Sequence, residues 1–116
     1  MCISEEDNID YNNPDELIKL IEAKLKTIRA YMKDKDIKRP LFDIYSYMSW
    51  ALEFFILNLY DCSPHMDILS IRNLIFIHIE EYDNYVNKTK SDHNKDRYMA
   101  ALEVMKDVER ISRAFV

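Results

Sequence analysis

Histidine and carboxylate side chains at helical spacing are the first candidates for metal chemistry in this chain. The three histidines are His65, His78 and His93, and their separations do not bring any two of them onto one helix face. His78 and Glu81 are three residues apart, a spacing that would place two ligands side by side. The sequence has no second Glu–His pair at this spacing, which a di-iron bundle site requires. We therefore expect no metal or other cofactor, and we interpret His78 as a core or interface residue.

Other reactive side chains stand in patterns that ordinary structural roles explain. Cys62 directly precedes a predicted helix start, where the helix dipole could lower its pKa, but it also fits as a small apolar residue closing the helix before it. The carboxylates of Glu80, Glu81 and Asp83 are neighbours in sequence, so they point apart on a helix and indicate a solvated face. No Ser–His–Asp order can be argued from the spacing.

A short segment of the third predicted helix reads RNLIFIH from Arg72 to His78. It resembles the motif of the HEPN superfamily, which has an arginine, usually a polar residue next to it, and a histidine after four to six intervening residues. HEPN domains are small and all-α, and many are metal-independent ribonucleases or toxins in which two copies of the motif meet across a homodimer. The resemblance covers residues 72–78 of the 116, with a gap of five between Arg72 and His78.

The resemblance implies a catalytic site made of Arg72, Asn73 and His78. His78 would transfer protons near neutral pH, Arg72 would stabilise charge on a phosphate, and Asn73 would be their polar companion. The alternative reading of the same residues is structural, with Arg72 as a surface charge and His78 as a partly buried polar side chain.

The chain contains no glycine. Glycine supplies the positive φ angles of tight hairpin turns and the close backbone approach of phosphate-binding loops. Its absence argues against a hairpin-rich β fold, and it excludes the dinucleotide fingerprint, the P-loop and the nucleophile elbow. We therefore predict an all-α protein whose activity comes from side chains displayed on packed helices.

Charge and hydropathy limit the partners and the location that we expect. The net charge is −5, and a block of acidic residues lies in the first thirteen positions, which we predict to be a flexible N-terminal arm. An acidic chain disfavours DNA and anionic membranes. The two cysteines and the lack of a signal-peptide pattern favour a cytoplasmic protein, or one in the host cytosol if it is viral. The composition, rich in Ile, Asn, Asp and Tyr, suggests an A/T-rich viral or low-GC bacterial genome.

Apolar residues recur at helical spacing in four segments, which predicts a compact antiparallel bundle of about four helices in one domain, residues 14–116. Asn13 and Pro14 form a helix start, Ser63 and Pro64 form another, and Ser91 is a plausible cap for the last helix. Residues 71–79 are rich in β-formers, but no partner strand exists for them, so we assign them to a helix. The predicted helices cover residues 14–32, 41 or 43–60, 63–86 and, after a turn at 87–94, the segment to about 115.

The second predicted helix is apolar on nearly every side, because the face that should be wet carries Trp50, Ile56, Leu57 and Tyr60. Such a helix is either central in the bundle or meets another chain. Aromatic side chains are favoured interface anchors, so we expect Trp50, Phe54, Leu57 and Tyr60 to bind a protein partner or a second copy in a homodimer.

The leading interpretation is therefore a small interaction module of the inhibitor, immunity or host-modulating type rather than an enzyme. RNA is a partner only under the alternative, a homodimeric HEPN-like ribonuclease. Assembly that depends on Trp50 or Leu57 would favour the module, and RNA cleavage in EDTA that depends on His78 would favour the enzyme.

Overall fold

Four α-helices make up the described part of the chain. The computed structural model describes residues 9–61, 66–90 and 92–116, and at positions 92 and 93 only the backbone. The helices are α1 (Pro14–Met32), α2 (Arg39–Asp61), α3 (Ile68–Lys88) and α4 (Asp92–Ser112). No strand occurs among these residues, and segment 71–79 is helical throughout. The predicted all-α fold is confirmed.

Helix α1 begins at the predicted signal. The side-chain oxygen of Asn13 accepts a hydrogen bond of 3.0 Å from the backbone N–H of Asp15. Pro14 occupies the first turn, where the missing N–H costs nothing, and two acidic residues follow at the positive end of the helix dipole. Its buried positions recur every three or four residues, as the sequence predicts: Leu17, Ile21, Leu25 and Ile28.

The starts of α2 and α3 differ from the predicted ones. α2 begins at Arg39, two residues before the earliest predicted start, because Pro40 fits the first turn of a helix as well as the turn before it. α3 begins at Ile68, where the Asp67 carboxylate accepts a 2.7 Å hydrogen bond from the backbone N–H of Ser70. The predicted start at residues 63–64 and the predicted cap at residue 91 lie outside the described residues.

The helices form an antiparallel bundle in which α4, not α2, lies at the centre. α4 packs extensively on both α2 and α3 and also touches α1, whereas α2 and α3 approach each other less closely. The ring of Tyr31 at the end of α1 contacts the ring of Tyr45 near the start of α2, with centroids 5.4 Å apart, as in an antiparallel pair of helices. The end of α3 meets the start of α4 through a stacked pair, Tyr85 and Tyr98, at 4.9 Å. Among the described helices, none therefore packs against one side of α2.

Side chains from all four helices form one continuous core. The central helix α4 contributes fully buried side chains at helical spacing, among them Ala101, Val104, Met105 and Val108. Tyr85 of α3 is 47% exposed, and its ring lies on Tyr98 at the edge of the bundle. No helix in the described ranges is long and apolar enough to cross a membrane.

The packed part of the chain starts before residue 14. Ile9 packs on the core, and the Tyr11 ring meets the buried ring of Phe115 edge to face at 5.2 Å. The backbone N–H of Val116 donates a 2.9 Å hydrogen bond to the Tyr11 carbonyl. Ile9 and Tyr11, which belong to the segment that we assigned to the arm, therefore pack on the folded domain.

Candidate functional site

The four residues predicted to bind a partner lie together on the uncovered side of α2. Trp50, Phe54, Leu57 and Tyr60 are 46%, 47%, 56% and 62% exposed. Their spacing of four, three and three residues keeps them on one side of the helix over about 15 Å. We call this surface the α2 face. Ile56, which the sequence also assigned to the wet side, is only 8% exposed and belongs to the core.

Neighbouring helices hold the side chains of the α2 face in place. The Trp50 ring lies 6.4 Å from the ring of Tyr82 on α3, and the Phe54 ring lies 5.9 Å from that of His78. At the other end, the Tyr60 hydroxyl donates a hydrogen bond to the Glu22 carboxylate on α1. This hydrogen bond raises the pKa of Tyr60, so the hydroxyl stays protonated. The α2 face thus extends from the side of α3 to the side of α1.

A positive charge borders one end of the α2 face. The guanidinium carbon of Arg97 on α4 lies 5.5 Å from the centre of the Tyr47 ring and 6.0 Å from the centre of the Trp50 ring. Both distances suit cation–π attraction. The opposite end is acidic, because Glu22 lies beside Tyr60 and the exposed Asp61 follows it.

His78 is buried between α2 and α3, with only 4% of its surface exposed. The Asn58 side-chain amide lies 3.3 Å from its Nε2 atom, and the Phe55 ring packs perpendicular to the imidazole at 5.0 Å. The buried Nδ1 atom has no hydrogen-bond partner in the described part of the chain. Burial lowers the pKa of His78, and the nearby Glu81 carboxylate opposes this only in part. His78 therefore behaves as a neutral core side chain at pH 7.

The single chain does not bring Arg72, Asn73 and His78 into one site. Arg72 is half-buried and Asn73 is exposed, whereas His78 faces the interior. Six residues of helix separate Arg72 from His78 by about 9 Å along the axis and about 120° around it. The catalytic roles implied by the HEPN resemblance thus require an arrangement that a single copy does not provide, and they stay a prediction.

No group of three His, Cys, Asp or Glu side chains among the described residues is arranged to hold a metal ion. Cys62 and His65 lie outside the described residues, as does the side chain of His93. Glu81 is exposed while His78 is buried. The two side chains whose spacing suggested a ligand pair therefore lie in different environments.

A second feature, which sequence reasoning missed, is a cleft of about 510 Å³ between the first halves of α2 and α4. We call it the α2/α4 cleft, and the lining residues that matter below are Asp43, Ile44 and Met48 of α2 with Asp96, Met99 and Glu103 of α4. In the sequence, the lining residues of α2 and those of α4 each fit the pattern of an ordinary amphipathic helix. About fifty residues separate the two sets, and only the packing of α4 on α2 unites them.

In comparisons with known proteins, no family model, curated protein or solved structure matches this chain. The HEPN resemblance therefore rests on residues 72–78 alone. The function has to be argued from the surfaces just described, the α2 face and the α2/α4 cleft.

Proposed function

We propose that this chain is a protein-interaction module that docks through the α2 face, and that a second copy of the chain is one partner. The observation that carries the proposal is the exposure of four large apolar side chains on one side of a helix whose opposite side is buried in the core. An inhibitor, immunity or host-modulating role is compatible with such a module.

The energetics of the α2 face support a docking role. Large apolar side chains are costly to leave in water, and surface patches that contain several of them are often functional. The exposed Glu53, paired with Arg29 at 3.1 Å, lies between Trp50 and Leu57 on the same side of α2. Trp and Tyr are the side chains most enriched at interface hot spots. Contacts with Tyr82, His78 and Glu22 already restrict three of the four side chains, so docking would cost little additional rotamer entropy.

The charge pattern around the α2 face supports a second copy as partner. A symmetric dimer pairs the same surface on both subunits. If two α2 faces cross antiparallel, the Trp50 end of one copy meets the Tyr60 end of the other. Arg97, which borders the first end, then approaches Asp61 and Glu22, which border the second. Opposite charges would fix this orientation and disfavour the parallel one.

Sedimentation velocity over a range of concentrations tests the proposal. Trp50 is the only tryptophan in the sequence, so its fluorescence reports directly on the α2 face. We expect a concentration-dependent dimer, with tryptophan emission moving to shorter wavelength as it forms. Leu57→Ala should weaken the dimer by about tenfold, since it truncates a central apolar contact.

Leu69→Ala is the matched control, because Leu69 is 67% exposed and stands about 180° around α3 from His78, the residue that contacts Phe54 of the α2 face. It should leave both dimerisation and the circular dichroism spectrum unchanged. A monomer at all concentrations, or equal weakening by both leucine variants, would contradict self-docking through this surface. Cleavage of RNA in EDTA that His78→Ala abolishes in a folded protein would favour the ribonuclease alternative instead.

A further inference from the structure

We infer that the α2/α4 cleft is a separate docking site for a basic amphipathic helix of a partner protein. The cleft lies beside the first half of α2, on the side that faces α4, so this inference does not depend on the α2 face. Its volume of about 510 Å³ falls in the range of natural ligand sites.

The interior of the cleft is apolar and adaptable. Met48 and Ala100 are its more buried lining residues, while Ile44 and Met99 are 41% and 47% exposed at its sides. Methionine side chains are flexible and polarisable, so a cleft that contains two of them can accommodate apolar side chains of different shapes. Such a lining suits leucine-like side chains presented at i, i+3 and i+4 by a helix.

The rim of the cleft is acidic. Among the described lining residues, Asp43, Asp96 and Glu103 are acidic and Arg39 is basic. Asp96 has no ion-pair partner among the described residues. The Arg39–Asp43 pair at 3.3 Å and the Lys106–Glu103 pair at 3.9 Å are both solvent-exposed, so a ligand cation can displace them at little cost.

The acidic rim and the apolar interior together select the occupant. A purely apolar segment would leave the Asp96 carboxylate without compensation, and an acidic segment would be repelled. A helix with a leucine stripe flanked by lysines places apolar groups between Ile44 and Met99 and cations opposite the rim. The inference therefore specifies a partner by both its hydrophobic pattern and its charge.

Titration of the ¹⁵N-labelled protein with a capped Leu/Lys helical peptide tests the site. We expect saturable amide shifts confined to residues 41–48 and 96–103. The double variant Asp96→Lys with Glu103→Lys should weaken binding by at least about tenfold, because it replaces attraction by repulsion at two rim positions. Met99→Gln should also weaken it, by making one side of the cleft polar.

The charge-matched control is Glu80→Lys with Asp83→Lys, which makes the same change of net charge on exposed positions of α3. It should change the affinity by less than about twofold, and a Leu/Glu peptide of the same pattern should not bind. Equal loss in the two double variants would show non-specific attraction to an acidic protein. That result, shifts centred on residues 50–60, or no saturable shift at all would overturn the inference.

Discussion

At the residue scale, His78 connects core packing with protonation. Burial holds the pKa of His78 below its ordinary value of 6.5, so in the unfolded chain this side chain binds a proton at a higher pH than in the folded protein. Between the two pKa values the unfolded state holds more protons, and the free energy of unfolding therefore falls as pH decreases through this window. We expect this loss to start near pH 6.5 and to reach at most about 1.4 kcal/mol for each unit by which the pKa is lowered.

Urea unfolding of the wild type and of His78→Gln at pH 5, 6, 7 and 8 measures this effect. Glutamine retains a hydrogen-bonding group opposite Asn58 but does not titrate. Carboxylates titrate in both proteins, so the difference between the two curves isolates His78. A difference that is constant with pH would contradict a buried, neutral histidine.

The sequence predicted the environment of the α2 face but not that of His78, and the reason is physical. The exposure of the α2 face follows from counting apolar positions on one helix, because a helix has only so much surface that a small bundle can cover. The environment of His78 depends on Phe55 and Asn58, which come from another helix and which no local pattern pairs with it. Spacing alone therefore favoured a structural role for His78 but did not identify the side chains that surround it.

At the scale of the element, neighbouring residues of α2 lie on a packed side and on an open side of the helix. Phe55 is fully buried against the core, whereas its neighbour Phe54 is 47% exposed on the α2 face. We expect Phe55→Ala to lower the free energy of unfolding by about 3–5 kcal/mol, since it leaves a cavity. Phe54→Ala should cost less than about 1 kcal/mol, because the truncated ring already faces water.

Chemical denaturation of the two variants checks this contrast in one assay. Circular dichroism at low denaturant shows whether Phe55→Ala still folds. If it does not, Phe55→Leu provides a milder truncation at the same position. Similar losses at the two positions would mean that the side of α2 that bears Phe54 is not open in solution.

The helix boundaries show which local sequence signals are sufficient to predict where a helix begins. The Asn13–Pro14 start of α1 was predictable, because the capping side chain, the proline and the acidic first turn agree. The role of Pro40 was ambiguous, because proline occurs both in the first turn of a helix and in the segment that precedes one. In the structure, α2 includes Pro40 and begins at Arg39. The central place of α4 was not predictable at all, because its mean hydropathy is lower than that of α2 and its role comes from long-range packing.

At the scale of the whole molecule, the absence of glycine is consistent with the backbone conformations. No residue in the described ranges has a positive φ angle. The C-cap residue of α1, Lys33, is in the right-handed helical region and that of α3, Thr89, is extended, so neither helix has the left-handed cap that glycine usually provides. Composition therefore predicted the fold class, while the order of the helices in space required the tertiary contacts.

The two ends of the described chain hold each other in place, and this contact yields a prediction for the whole bundle. Phe115 lies beyond the last turn of α4 and is 2% exposed, packed against Tyr11, whereas the adjacent Val116 is 86% exposed. We expect Phe115→Ala to lower the free energy of unfolding by about 3 kcal/mol and to abolish hydrogen-exchange protection of the Val116 amide, which donates to Tyr11. Val116→Ala keeps that amide and should change the stability by less than about 0.5 kcal/mol. If Phe115→Ala is equally harmless, residues 9–13 do not pack on the bundle in solution, and the domain begins at the cap of α1 as the sequence alone suggested.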